Sequence, residues 1–203
     1  IMEKRVLIFM PFIEGGGVEK NLFLVSNYLI KKFNKITLIT ISKKYKKKFD
    51  KSIKFVSLSL DIWSKFGKKF QYLLALILLI KEILNNKNLI VFSFQANIYC
   101  IVICKLFGVK VISRSNTAPV GWSKNWFKRN IFKIILNLAD KVIVNSLQFK
   151  KDLKKEFNLE AICIYNPLNI KEIKAKSKKK ALPIFKSKNK LKILNIGRFT
   201  EQK

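Results

Sequence analysis

With 203 residues, 49% of them hydrophobic and 12% aromatic, the chain has ample apolar surface to bury and is not a disordered segment. Its formal net charge is +30, nearly all of it lysine spread along the whole length, which marks a solvated surface with a general attraction for anions. A dedicated nucleic-acid face would cluster arginine with exposed aromatics, so no specific nucleic-acid partner is expected.

The elements alternate from the start. Residues 5–11 read as a strand, followed by EGGGVEK and a helix over 18–33 in which Leu22, Val25, Leu29 and Phe33 recur at helical spacing. Strands are predicted at 35–41 and 53–58, and a long helix over about 65–84. A short strand at 89–92 leads into a helix ending at Phe107, with Gly108 as the residue just past its end. Another strand spans 109–113 and runs into the polar loop RSNTAPVGWSKN. Then come a helix over 126–138, a strand over 141–145, a helix over 148–157 with Ser146 as its N-cap, and a strand over 161–165.

This order predicts an α/β fold: a Rossmann-like, doubly wound parallel sheet with right-handed crossovers. Past Asn166-Pro167 the character changes. The expected organisation is a domain over 1–168, a lysine-rich linker over 169–190, and over 191–203 the first strand of a second domain, delivering Gly197-Arg198 at its end. One strand cannot bury itself, so a second domain is expected to begin here and be cut off.

Cys100, Cys104 and Cys163 form no C-x-x-C pair, and there is no histidine. Neither a disulfide framework nor a metal site is expected, and no cofactor; Cys100 and Cys104, four apart on one helix face, are expected to be buried. Reduced thiols fit a cytoplasmic location. The first apolar run lacks the form of a signal peptide, and the window YLLALILLIKEIL is broken by Lys81 too early for a membrane span.

Two places invite chemistry. Gly15, Gly16 and Gly17 lie between a strand and a helix N-terminus, where free N–H groups attract anions and a bare backbone admits a phosphate. The spacing fits neither a dinucleotide nor a Walker-type phosphate motif, and a flexible turn is the plain alternative. At the far end, Arg198 and Lys203 follow a strand and suit the grip of a diphosphate.

GGGVEKNLFLVSNYL resembles the Gly-Gly-x-Glu-Arg signature of family 4 glycosyltransferases, retaining enzymes of the GT-B fold. ADKVIVNSLQFKKDL, IYNPLNI and LKILNIGRFTEQK resemble three further segments of that family, in the same order. The resemblance implies transfer of a sugar from a nucleotide-sugar donor to a cell-surface or lipid-linked glycan acceptor, with retention. It implies that Gly16 and Gly17 approach the donor diphosphate, and that Arg198 and Lys203 bind it and stabilise the leaving group. Many members carry a histidine in the loop after the fifth strand; here Arg114, Ser115 and Asn116 stand there and are read as acceptor or cleft residues. Glu19 and Lys20 fit the Glu-Arg part of the signature and are read as capping and pairing groups.

Trp122, Trp126 and Phe127 either dock on an anionic inner membrane surface or pack within the helix region. The alternative function is a non-enzymatic basic Rossmann-like module that binds nucleic acid or anionic lipid. An inverting GT-B enzyme is disfavoured by the missing histidine.

Overall fold

A computed structural model of the chain describes residues 5–14, 16–41, 43–57, 67–86, 88–95, 97–116, 125–178, 191 and 193. Two compact units divide it, Ile1–Leu168 and Asn169–Lys203.

In the first unit, short Val/Ile/Leu-rich segments become strands and the segments of helical spacing between them become helices. The order is β1 (Arg5–Phe9), α1 (Gly17–Leu29), β2 (Ile36–Ile39), β3 (Lys54–Val56), α2 (Lys68–Asn85), β4 (Leu89–Ser93) and α3 (Asn97–Leu106). It continues with β5 (Lys110–Ser115), α4 (Trp126–Asn137), β6 (Lys141–Val144), α5 (Leu147–Phe157) and β7 (Ile162–Cys163). All seven strands pair in parallel, in the order β3-β2-β1-β4-β5-β6-β7. This is the α/β, Rossmann-like parallel sheet expected from the alternation.

Strand geometry sends successive side chains to opposite faces, and the core splits accordingly. Val6, Ile8 and Met10 pack with Leu22 of α1 on one face. Leu7 and Phe9 pack with Ala75, Leu79 and Ile83 of α2 and with Cys100 and Cys104 of α3 on the other. Both cysteines are fully buried, and Cys163 is half-buried.

Helix α3 ends in a Schellman motif: the Gly108 N–H bonds the Lys105 carbonyl at 3.2 Å and the Val109 N–H bonds that of Cys104 at 2.8 Å. Gly108 sits at φ 69°, a conformation open to glycine without strain. Ser146 caps α5 as expected, its side chain accepting from the Phe149 N–H at 3.1 Å.

The strand over β3 is shorter than the apolar run that announces it. In the second unit, helix α6 (Ile170–Ser177) occupies part of the lysine-dense segment. It buries no residue, so its sequence carries no apolar stripe to read. The Asn169 side chain starts it by accepting from the Glu172 N–H at 3.2 Å. Among the described residues, no helix is long and apolar enough to cross a membrane.

After β1 the chain winds outward through β2 and β3, then returns to lay β4 on the other side of β1. The strand order therefore reverses between β1 and β4, and loops on either side of that line diverge at the carboxyl ends of the strands. Ligands of open α/β sheets bind in the crevice so formed.

Candidate functional site

A cleft of about 280 Å³ opens at this switch point. Met10 enters it from the end of β1, Val18 and Glu19 from the first turn of α1, Phe94, Gln95 and Asn97 from the passage between β4 and α3, and Arg114 and Asn116 from the end of β5.

Its frame is a set of backbone-directed hydrogen bonds. Gln95 Oε1 accepts from the Phe12 N–H at 3.1 Å, tying the β1 loop to the β4 loop. Asn97 Nδ2 donates to the Arg114 carbonyl at 2.9 Å, and Asn116 Nδ2 donates to the Phe94 carbonyl at 3.2 Å, so β4 and β5 are stitched beyond their ladder. The Ser93 hydroxyl lies 2.8 Å from both the Gln95 carbonyl and Asn97 Oδ1, which fixes the Asn97 amide. These groups hold the cleft's rim in place before any ligand arrives.

Arg114 is the unusual member. The residue is 2% exposed, and no carboxylate pairs with it among the described residues. Its guanidinium lies 5.9 Å from the Phe94 ring centre. Nη2 donates to Asn166 Oδ1 at 2.8 Å and lies 3.5 Å from the Ile164 carbonyl, while Nε is buried with no hydrogen-bond partner. Burial holds its pKa below the ordinary arginine value. A buried donor without a partner costs about 1–3 kcal/mol, more when charged, so its persistence calls for a reason.

The first turn of α1 is the second feature. Gly16 occupies the N-cap position with φ −83°, and no side chain caps the helix. Gly17 is the first helical residue, and a Cβ built there would meet nothing within 4 Å. Neither glycine is required by a positive φ, and Gly17 is not required by packing. What glycine supplies is open space beside free N–H groups that carry the positive end of the helix dipole. Glu19 Oε1 turns back to accept from the Glu14 N–H at 3.3 Å, which ties down the loop ahead of the helix and leaves α1 without the side-chain cap expected of Glu19, and Glu19 also lines the cleft. Lys20 points to solvent.

The expected site residues are thus distributed unevenly. Arg114 and Asn116 line the cleft, and Gly16 and Gly17 stand at its edge through their neighbours Val18 and Glu19. Ser115 alternates to the other face of β5; it is buried and its hydroxyl has no partner. Gly15, Trp122, Arg198 and Lys203 lie outside the described residues. Gln95 and Asn97 were not singled out from the sequence, since isolated amides in an apolar run give no spacing to recognise. Among the described residues, no group of three or more Cys, Asp or Glu is placed to hold a metal ion.

No family model and no curated protein matches the sequence. Solved structures match the fold. Anabaena Alr3699/HepE, solved with UDP and glucose, aligns with a TM-score of 0.58 over 82% of this chain and 45% of its own, at 12% identity. The fold is shared with GT-B glycosyltransferases. A glycosyltransferase from Rickettsia africae ESF-5 aligns at 0.56 over 88% of this chain and 50% of its own, at 20% identity. UGT73P12 of Glycyrrhiza uralensis, solved with glycyrrhetinic acid 3-O-monoglucuronide, aligns at 0.57 over 81% and 49%, at 8% identity. The chain therefore spans about half the length of the solved structures it matches.

Proposed function

We propose that this chain is the acceptor-side half of a retaining, family 4-type glycosyltransferase that takes a sugar from a nucleotide-sugar donor. The observation that carries the reading is the cleft at the β1/β4 switch point, with an uncapped helix N-terminus, a bare Gly17 and a buried arginine converging on it. The folds that share this architecture include Alr3699/HepE solved with UDP and glucose and with UDP-glucose, which supports a nucleotide-sugar donor here. The same likeness weighs against the purely binding module that the charge alone would allow.

In this reading Gly16 and Gly17 let the donor diphosphate approach the N-terminus of α1. Arg198 and Lys203 complete that grip and stabilise the negative charge that develops on the departing nucleotide. No side chain of the first domain needs to act as a general base when the configuration is retained. The acceptor is a cell-surface or lipid-linked glycan on the cytoplasmic face of a membrane, reached by a protein that sits peripherally on anionic lipid. The sequence is one piece of the working enzyme, and turnover requires the rest of the donor domain.

The deciding experiment assays the full-length protein with a panel of nucleotide sugars, comparing wild type with Arg198→Ala. Loss of kcat by about 10²-fold or more is expected for a preorganised charge that acts on the leaving group. Unchanged turnover would remove the electrostatic role assigned to Arg198.

A further inference from the structure

Arg114 borders the cleft, yet its guanidinium is spent on a different part of the chain. Nη2 donates to Asn166 Oδ1 at 2.8 Å and lies 3.5 Å from the Ile164 carbonyl, in the segment that follows β7. The backbone of the same residue belongs to the cleft: its carbonyl accepts from Asn97 Nδ2 at 2.9 Å, and Asn97 lines the cleft. Arg114 is thus fixed to the rim through its backbone and, through its side chain, to residues 50 and 52 positions further on. All of these groups lie in the first unit, which ends at Leu168.

Among the described residues, the segment after β7 has little else to hold it. β7 is two residues long and lies at the edge of the sheet, and the Ile164 N–H extends its pairing by one bond, to the Val144 carbonyl at 2.9 Å. Ile164, Tyr165 and Leu168 are exposed, so core packing does not fix them. Nor does Arg114 stand there for its own stability. Its charge is buried against neutral acceptors and its Nε–H is unmet, a cost that an apolar side chain would avoid. What an apolar side chain lacks is the reach, from β5 past the end of β6, to hold an amide oxygen beyond β7.

We propose that Arg114 is a positioning residue: it clamps residues 164–166 to the end of β5, so that the chain leaves the first unit from a point fixed to the cleft rim. Its part in turnover rests on the glycosyltransferase reading above, in which Arg198 and Lys203 lie further along the chain that departs here; the clamp itself does not. A departure point that wanders spoils the placement of the groups carried beyond it. Such a loss lowers kcat more than it weakens the binding of either substrate.

Asn166 is exposed, so Asn166→Ala removes the clamp without opening the core. In the chain described here, it should cost Tyr165 and Leu168 their backbone order, read from amide nitrogen relaxation. It should also speed hydrogen exchange of the Ile164 amide about tenfold, with the amides of β1 and β4 exchanging as in wild type. Asn166→Asp should slow the Ile164 exchange below wild type, because a carboxylate takes the same donor more strongly. In the full-length protein, Asn166→Ala should lower kcat about tenfold and leave KM for the nucleotide sugar within about twofold.

Unchanged order and exchange in Asn166→Ala overturns the clamp, and so does exchange that rises equally throughout the sheet. Exchange in Asn166→Asp as fast as in Asn166→Ala also overturns it. A freed Ile164 amide with kcat unchanged, or with the whole loss in KM, overturns the positioning role and leaves the transferase reading intact. If no nucleotide sugar supports transfer while Asn166→Ala still frees Ile164, the transferase reading fails and the clamp stands.

Discussion

At Gly17 the structure separates two reasons for a glycine that the sequence cannot tell apart. The backbone there is ordinary helix and the space a methyl would take is empty, so nothing in the folded protein alone forbids alanine. Gly17→Ala should therefore stabilise the protein by about 0.4–1 kcal/mol through the unfolded chain, read from a denaturant midpoint. The same variant in the full-length protein should bind nucleotide sugar more weakly, because the methyl occupies the approach to the helix N-terminus. Equal affinity would reduce the glycine to slack in a turn. A second residue-scale effect belongs to Asp140. Partial burial pushes its pKa up, but the Lys105 ammonium at 2.6 Å and the Val111 N–H at 2.8 Å outweigh that and hold the carboxyl below its usual range. A depressed carboxylate contributes stability that is fully present above its unfolded pKa of about 4 and is lost as pH falls through the folded value. Asp140→Asn should consequently be destabilised relative to wild type near neutrality, with the difference closing below about pH 4. Equilibrium unfolding at a series of pH values checks this, and a difference independent of pH would count against it.

Among the elements, α5 was legible to within one residue at its start, Leu147, because its signals are local. Ser146 precedes the run, and Phe149, Leu153 and Phe157 recur every four residues on a single buried face. Ser146→Ala should cost about 1 kcal/mol through the orphaned Phe149 N–H, against about 2–5 kcal/mol for Leu153→Ala in the core. Thermal unfolding of the two variants tests the ranking. Helix α4 shows the opposite balance. Trp126 is 76% exposed and Phe127 65% exposed, and Lys128 and Lys133 lie in the same helix, so the first aromatic residues are not spent on internal packing. Under the peripheral-membrane proposal, these exposed rings are the groups that would meet an anionic bilayer. Trp126→Ala/Phe127→Ala should bind vesicles containing phosphatidylglycerol more weakly than wild type, with binding to neutral vesicles weak in both. Equal sedimentation with anionic vesicles would leave the attraction to diffuse charge alone. The bounds of β3 and the existence of α6 escaped the sequence for a common reason. An edge strand and a solvated helix bury too little to leave a pattern, and α6 depends on a cap at Asn169 in place of a core face.

For the molecule as a whole, the sheet and the position of the cleft were readable because alternation of apolar runs dictates parallel pairing, and parallel pairing dictates where ligands can enter. The internal wiring of the cleft was not readable. Gln95, Asn97 and Asn166 acquire their roles from residues 83, 17 and 52 positions away, and nothing in their immediate sequence announces those partners. Nor does the sequence reveal that Arg114 meets no acid among the described residues, since the chain is crowded with charge and only burial sets this one apart. The strand order has a further consequence, for synthesis. Central β1 leaves the ribosome well before β4, and it waits for Arg5 to meet Leu89 across the sheet, 84 residues later. At roughly 5–20 residues per second that is an interval of several seconds or more, during which only β2 and β3 can shield one flank. A nascent chain halted before β4 should therefore be a customer for chaperones, and slow codons placed before Leu89 should depress yield more than the same codons placed after β7.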